Sequence, residues 1–422
     1  MNVLLLGSGA REHAILVSLL RSPKVTRVFI STTNAGMSLG DRVAAIKSGC
    51  ATKSEICDFC TSNKIDLVVV GSEALLVDGI ADALEERGIK CFGPSREAAK
   101  LEGSKAFMKE VCVAAGVQTA KYITCSDYKT AILALENFEL PVVIKADGLA
   151  GGKGVVICDN IELAHSVILE FLNGKFGNAG KNIIIEEFLD GKEVSFFAIL
   201  DGTIAKPFLH ACDYKRINDG NIGSNTGGMG SFAPSFISKS VEQEVMNTII
   251  HPMQTELQKR GISYKGVLFA GLMITLRGIY VLEFNCRFGD PETQSILPLL
   301  ETDITDVFLS VCNQTLADLN IKFSNKCAVT VVASSKGYPE SSSIGDVISG
   351  LSNIAISESQ NIFHAGTKKL ENGDIVTNGG RVLCSSAIAE TINNAREIAY
   401  TNLSKISFDG MHYRTDIAND GR

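Results

Sequence analysis

Residues 281–294 read VLEFNCRFGDPETQ and hold a dense set of side chains able to do chemistry. Val281 and Leu282 are β formers, and residues 283–286 alternate polar with apolar, so the segment opens as a strand. Alternation puts Glu283 and Asn285 on one face. A carboxylate beside an amide oxygen suits a hard cation such as Mg2+, which takes few protein ligands and completes its shell with substrate phosphates. Arg287 continues that face if the strand persists. Arg287, Asp290 and Glu292 then crowd a turn built on Gly289 and Pro291. Both charge signs beside a metal pair suit a zwitterionic or anionic substrate. Taken alone, the same residues also read as a strand end followed by a solvated, salt-bridged turn.

The elements that must position these residues lie on both sides. Residues 266–275 form a strand that pairs with the first across Arg277 and Gly278. In LEGSKAFMKEVCVAAGV, residues 101–117, Ser104 caps a helix that runs through Ala115 and ends at Gly116. Lys105 sits in its first turn, where the helix dipole disfavours a cation, which suits a lysine that serves a ligand. PVVIKADGLAGGKGVVI, residues 141–157, reads strand, loop, strand, with Lys145 ending the first strand and Gly148, Gly151, Gly152 and Gly154 around Lys153. Gly follows Lys153 where a Walker A loop has Ser or Thr, but a flexible Gly-rich hairpin with one lysine can still close over phosphates. A plain surface hairpin is the alternative. KNIIIEEFLDG, residues 181–191, is a buried strand running into acids; its end could present backbone groups to an adenine edge, with Glu193 facing ribose hydroxyls. Residues 211–230 read as a long polar Gly-rich loop carrying Asp213, Lys215 and Arg216, and loops of that length are usually functional or disordered. Residues 241–260 read as a helix.

At the N-terminus an apolar run ends in GSGAREHA, residues 7–14, which is strand, Gly-rich turn, helix. Glu12 stands at the third glycine of a dinucleotide fingerprint, so that reading fails there. A phosphate at the helix N-terminus near Arg11 is still open to it. Residues 25–30 and 65–70 read as further buried strands, and ligands in such open α/β sheets sit at the carboxyl ends. From residue 326 short strands (CAVTVVAS, NIFHAG, RVLCSS) lead to a helix over 387–404.

The chain has 422 residues and a net charge of −7, which argues against a general polyanion binder. Its twelve cysteines show no framework spacing, and Cys57 and Cys60, at C-x-x-C spacing, read as buried thiols on one helix face rather than half a zinc site. There is no basic leader with a cleavage site and no apolar run of about 18 residues, so a cytoplasmic protein without membrane or nucleic-acid partners is expected.

With these residues in place, the chain resembles the phosphoribosylamine–glycine ligase (glycinamide ribonucleotide synthetase) family of the ATP-grasp superfamily. RFGDPETQ (287–294) is similar to that family's signature, and GSGAREHA, KADGLAGGKGV, EEFLDGKEVS, SNTGGMG, HAGT (364–367) and GGRVL (379–383) match in order over nearly the whole chain. The resemblance implies an α/β fold: an N-terminal doubly wound parallel-sheet domain (1–102), an ATP-grasp core (103–325) with a mobile lid at about 121–191, and a small C-terminal α+β domain (326–422). It implies ATP and Mg2+ or Mn2+ as cofactors and the ligation of glycine to 5-phosphoribosylamine, giving glycinamide ribonucleotide, ADP and phosphate through a glycyl phosphate, in de novo purine synthesis by a monomer.

By resemblance, Lys105, Lys145, Gly151, Gly152 and Lys153 contact ATP phosphates, Glu186, Glu187, Phe188 and Leu189 form the adenine hinge, and Glu193 holds the ribose. Glu283 and Asn285 bind the metal. Asp213, Lys215, Arg287 and Asp290 surround glycine and the transferring phosphate. Gly9, Arg11, Glu12, Asn34 and Gly36 face phosphoribosylamine, with Asn225, Thr226, Gly227 and Gly228 also on the substrate side. The chain departs from the family pattern at Ser72, Leu75, Gly151, Ser224 and Cys212; the last removes an amide beside Asp213. The alternatives are another ATP-grasp carboxylate–amine ligase, told apart by its substrate loop, and a non-catalytic ATP-binding module, which should have lost metal ligands or phosphate lysines.

Overall fold

The run NVLLL forms the strand Asn2–Leu6, buried along nearly its whole length because it lies at the middle of a five-stranded parallel sheet. The structure, a computed structural model, describes residues 1–31, 33–38, 40–46 and 51–419. From one edge the strands of this sheet are Val43–Ala45, Arg27–Ile30, Asn2–Leu6, Leu67–Val70 and Cys91–Phe92, all parallel. The chain builds one half outward and then returns to the other side of its first strand. The carboxyl ends of Asn2–Leu6 and Leu67–Val70 therefore flank the topological switch point, where open sheets leave a crevice. Cys57 and Cys60 are buried on the helix Lys53–Ser62, as their spacing implies.

Helix Lys105–Ala115 begins where Ser104 Oγ accepts from Phe107 N at 3.2 Å and ends at Gly116, whose φ of +69° is the left-handed stop that glycine adopts without strain. After it the chain builds a separate lobe. Its antiparallel sheet runs Tyr122–Cys125, Ile183–Glu187, Val142–Ala146, Val155–Cys158, joined by helices Tyr128–Leu135 and Ile161–Glu170. Ala131, Ile144, Val167 and Ile185 belong to a hydrophobic cluster confined to this lobe. A lobe with its own core can move as a unit.

The body is an eight-stranded sheet with the strand Gly278–Asn285, which carries Glu283 and Asn285, at its edge, next to Lys265–Thr275, Lys192–Asp201 and Ala205–Asp213. Gly230–Ala233 follows and pairs with Cys327–Ser334, so the sheet passes residue 326 without a break and continues through Arg381–Ala389 to Gln360–His364.

Two local expectations are corrected and a third is refined. Residues 211–230 are not one loop: a strand reaches Asp213, Arg216–Asn218 pairs with Ile222–Asn225, and Gly230–Ala233 joins the large sheet. Glycine density hid a short local hairpin and a strand whose partner is remote in sequence. The last helix starts at Ile392, not 387, because residues 387–389 pair with the strand at Cys327 and Thr391 caps the helix through Asn394 N. The helix over 241–260 is continuous but widens into a π turn at Met246–Ile250, just before Pro252. Among the described residues no helix is long and apolar enough to cross a membrane.

Candidate active site

The lid, the body and the N-terminal sheet enclose one cavity of about 720 Å3, ample for a nucleotide or a small substrate. The hairpin Lys265–Thr275/Gly278–Asn285 brings Glu283 and Asn285 to its wall. Gly271 is opposite Glu283, and a Cβ there would lie 3.2 Å from Glu283 Cγ, so the glycine makes room for that side chain. Burial pushes the Glu283 carboxyl up, but Lys215, Lys145, Lys105 and Arg287 more than offset it and hold it below the usual range. Glu283 is therefore an ionised carboxylate.

The strand stops at Asn285, so Arg287 does not continue its face by alternation. Cys286 N instead donates to Glu102 Oε2 at 2.8 Å, which turns the chain. Arg287 returns to the site by its length: Nη2 lies 2.9 Å from Glu102 Oε1 and donates to Asn285 Oδ1 at 3.1 Å, while Nε lies 3.6 Å from Glu73. Its Nε, though buried, has no hydrogen-bond acceptor.

Beside these groups stands an acidic patch. Ser195 Oγ lies 3.4 Å from Asp213 Oδ1 and 2.9 Å from Glu292 Oε1. Burial raises the pKa of both carboxyls; Lys215 lowers Asp213's, and Glu292, Glu193 and Glu283 raise it further. Lys215 contacts Glu193 and lies 3.8 Å from Glu283. Burial works against its charge, yet Glu193, Asp213 and Glu283 keep its pKa well above the ordinary value. Such a patch is poised for an ammonium group, whose charge lets both acids ionise.

On the lid side, Lys105 and Lys145 reach the cavity, with Gly151, Gly152, Glu186 to Leu189 and Glu193 along it. Gly151 and Gly152 turn the hairpin at φ +57° and +75°. Lys153 does not line the cavity; its Nζ donates to Pro339 O at 2.7 Å, on the C-terminal part. The Glu186 side chain turns inward and pairs with Lys109 and Lys145 at 3.0 and 2.9 Å, leaving its backbone on the cavity side.

The N-terminal residues divide. Arg11 lines the cavity, donating to Phe288 O at 3.1 Å. Glu12 is buried behind it: its carboxylate accepts from Gly9 N and Arg11 Nε, both at 2.6 Å. Asn34 is buried too; its amide donates to Ser8 O at 2.8 Å and His364 O at 2.7 Å and accepts from Gly36 N at 2.9 Å, tying three segments together. A Cβ on Gly36 would meet His13 at 2.4 Å, so this glycine permits a close approach. Asn225, Thr226 and Gly227 line the cavity; Gly228 N donates to Thr226 Oγ1 at 3.0 Å and shapes that loop. Cys212 is buried, with its thiol 3.7 Å from Glu193 O.

Several cavity residues escaped sequence reasoning. Glu73 and Glu102, which face Arg287, are two of them; Glu292, expected in the charged turn after the strand, faces Asp213 through Ser195. Arg381 donates to Gly227 O at 2.6 Å and Asp290 O at 2.7 Å and lies 3.2 Å from Asp290 Oδ2. Burial raises the Asp290 carboxyl, but Arg381, Arg11 and Gln294 hold it below the ordinary range. The motif GGRVL contained Arg381, and the turn after Leu67–Val70 contained Glu73; both were usable signals. Nothing local marks Ser195.

A two-lobed clamp, with a small antiparallel lid over the edge of a large sheet and lysines from both at the gap, is the ATP-grasp architecture. The chain matches the phosphoribosylglycinamide synthetase N domain over residues 1–102, the ATP-grasp (A) domain over 103–293 and the C domain over 328–420. The chain belongs to the phosphoribosylglycinamide synthetase, or phosphoribosylamine–glycine ligase, family, and it is an ATP-dependent ligase. It is 43% identical over 420 residues to the phosphoribosylamine–glycine ligase of Caldanaerobacter subterraneus, covering 99% of each chain. With that of Vibrio parahaemolyticus it shares 40% identity over 99% of this chain and 97% of that one. The crystal structure of phosphoribosylamine–glycine ligase from Thermotoga maritima superposes with a TM-score of 0.84 at 32% identity, over 99% and 100% of the two chains. A biotin carboxylase–ATP complex from Campylobacter jejuni, 14% identical over 98% of this chain and 92% of that one, shares the fold at a TM-score of 0.74. The family and the α/β ATP-grasp class expected from the motifs are thus the ones found.

Proposed function

We propose that this cavity joins glycine to 5-phosphoribosylamine through a glycyl phosphate. The observation that carries the reading is the polarity of the cavity. Lys105, Lys145 and Arg287 surround ionised Glu283, and Lys215 links that carboxylate to the neighbouring Asp213–Ser195–Glu292 patch. A zwitterion fits across it, with its ammonium at the acids and its carboxylate toward the cations. ATP enters between lid and body with its adenine at the 186–189 backbone and its phosphates toward Lys105 and Lys145. Glycine's carboxylate oxygen attacks the γ-phosphorus; a P–O bond forms and ADP leaves. The free amine of phosphoribosylamine then attacks the acyl carbon, the C–N bond forms, phosphate leaves and the amine loses a proton. A free carboxylate cannot expel oxide, so phosphorylation must come first. Arg287, with its planar fork, steadies the carboxylate or the phosphate in flight. Closure of the lid excludes water from the acyl phosphate. Arg11, Asp290 and Arg381 border the side where the ribosyl amine enters.

The donor set of one ionised carboxylate, Glu283, and one amide oxygen, Asn285, fits Mg2+ or Mn2+, with phosphate oxygens completing the shell. The ion when bound neutralises charge on the transferring phosphate. Asn285 Oδ1 has a second lone pair for it beside the Arg287 bond.

The test is isotopic. With both carboxylate oxygens of glycine labelled with 18O, one label per turnover is expected in the released phosphate. Product formed with unlabelled phosphate would remove the glycyl phosphate. Phosphate release with glycine or the ribosylamine omitted in turn checks that both are required.

A further inference from the structure

Lys109 does not line the cavity, but it pairs with Glu186, which does. It stands one turn after Lys105 on the same face of helix Lys105–Ala115, but it is wholly buried. A buried ammonium is costly unless paired and hydrogen-bonded. Its Nζ donates to Thr119 Oγ1 at 2.7 Å and lies 3.0 Å from Glu186 Oε1. The other oxygen, Glu186 Oε2, lies 2.9 Å from Lys145 Nζ, which also donates to Leu282 O at 3.2 Å. One buried carboxylate thus bridges two ammonium groups, only one of which faces the cavity.

The three groups come from different parts of the clamp. Lys109 is on the body helix, while Glu186 and Lys145 are on neighbouring lid strands. Thr119 lies in the linker that enters the lid, and this linker is pinned to the strand that carries Glu283 and Asn285: Thr119 Oγ1 donates to Val281 O at 2.8 Å and accepts from Lys109. In such an interior, attraction between charges is far less screened than in water. Without Lys109, Glu186 and Lys145 would form a neutral pair, and Lys145 would be held away from any phosphate.

We propose that Lys109 is a positioning residue: by occupying one oxygen of Glu186 it leaves the Lys145 charge available to a nucleotide phosphate and anchors the entry to the lid. This rests on the reading of the cavity as an ATP site. Burial lowers the Lys109 pKa and Glu186 opposes it, consistent with a cation kept in place by its partner.

The test is a charge cycle read by the KM for ATP, kcat and folding by circular dichroism. Lys109→Met should raise the KM for ATP about tenfold, with kcat changed less than about threefold, as one lost coupling of this kind allows. Adding Glu186→Gln should bring KM back to within about threefold of the parent, because Lys145 is freed again. A merely structural triad predicts no such rescue. A wild-type KM in Lys109→Met, or a double variant as weak as the single, would overturn the inference. If Lys109→Met does not fold, Lys109→Gln, which keeps a donor for Thr119 but loses the charge, decides: a raised KM for ATP supports the inference, and an unchanged one overturns it. Lys145→Met separates the two levels. If it leaves ATP affinity unchanged, the reading of the site fails; if it weakens ATP while Lys109→Met does not, only the positioning role fails.

Discussion

Two glycine-rich turns look alike in sequence and do opposite things. GSG at residues 7–9 follows a buried strand and opens a helix; GLAGGKG at 148–154 joins two strands of the lid. In the first, the space a phosphate would take is filled from within. Glu12 accepts from Gly9 N at 2.6 Å, and a Cβ on Gly71 would lie 1.9 Å from Glu12 Oε1. In the second, Gly151 and Gly152 serve the direction of the backbone, and a Cβ on Gly151 would meet nothing within 4 Å. Glycine at the first turn admits a side chain of the protein's own helix; at the second it leaves the approach open. Glycine density thus marks a close approach or a sharp turn, and only the occupant of the space tells which turn serves a ligand.

The largest effect that would sharpen this contrast belongs to the open side. Glu283→Gln keeps shape and removes the charge, and turnover should be nearly abolished while the protein stays folded, measured by phosphate release over a Mg2+ titration. Rates and metal dependence like the parent's would take Glu283 out of the site. Arg287→Lys should cost about 3–4 kcal/mol of transition-state stabilisation, since lysine lacks the planar fork. A loss in kcat below about threefold would mark a structural ion pair with Glu102.

On the filled side the expected cost is to stability. Glu12→Gln removes the charge from a carboxylate buried against Gly9 N and Arg11, and about 1–3 kcal/mol should be lost in urea unfolding, with the KM for ATP unmoved. A raised KM for ATP at full stability would reverse the assignment of the two turns. Hydrogen exchange compares them directly. A non-hydrolysable ATP analogue at ~10 times its Kd should slow exchange in the lid hairpin about tenfold and leave residues 7–9 unchanged. Equal responses would break the contrast.

The smallest effect is one of pH. Asp213 and Glu292 have pKa values raised by burial, so the folded state holds protons that the unfolded state loses above about pH 4. Their contribution to stability is full below that pH and is lost as pH rises through the raised values. Over the same rise the acids become able to hold an ammonium, so the KM for glycine should fall, and Asp213→Asn should flatten the trend. A glycine KM that rises over that range would remove the acidic patch from glycine binding.

Much of the site was legible because its motifs are contiguous. Glu283, Asn285, Arg287 and Asp290 lie within one short segment, and Lys105 is marked by its odd place at a helix start; all line the cavity. Fold class was legible from buried strands alternating with helices. What misled was local: residues 211–230 hide a short hairpin and a strand start whose partner is about a hundred residues on, and the alternation that would have continued through Arg287 ends at Asn285, where Glu102 takes Cys286 N. Cys212, a departure beside Asp213, points its thiol toward the Glu193 backbone, a direction no pattern could supply.

By itself the sequence determined which residue types could do chemistry, the strands and helices that carry them, and the family, because period, caps and contiguous motifs are local properties of a chain. Only the tertiary structure decided which of those residues meet. It buried Glu12 and Asn34 as fasteners, set Ser195 between two acids, brought Glu73, Glu102 and Arg381 to the cavity, and turned Glu186 toward Lys109 and Lys145. The reason is physical: ionisation, pairing and access depend on burial and on distances of a few ångströms between residues as much as hundreds of positions apart, and no local pattern encodes those distances.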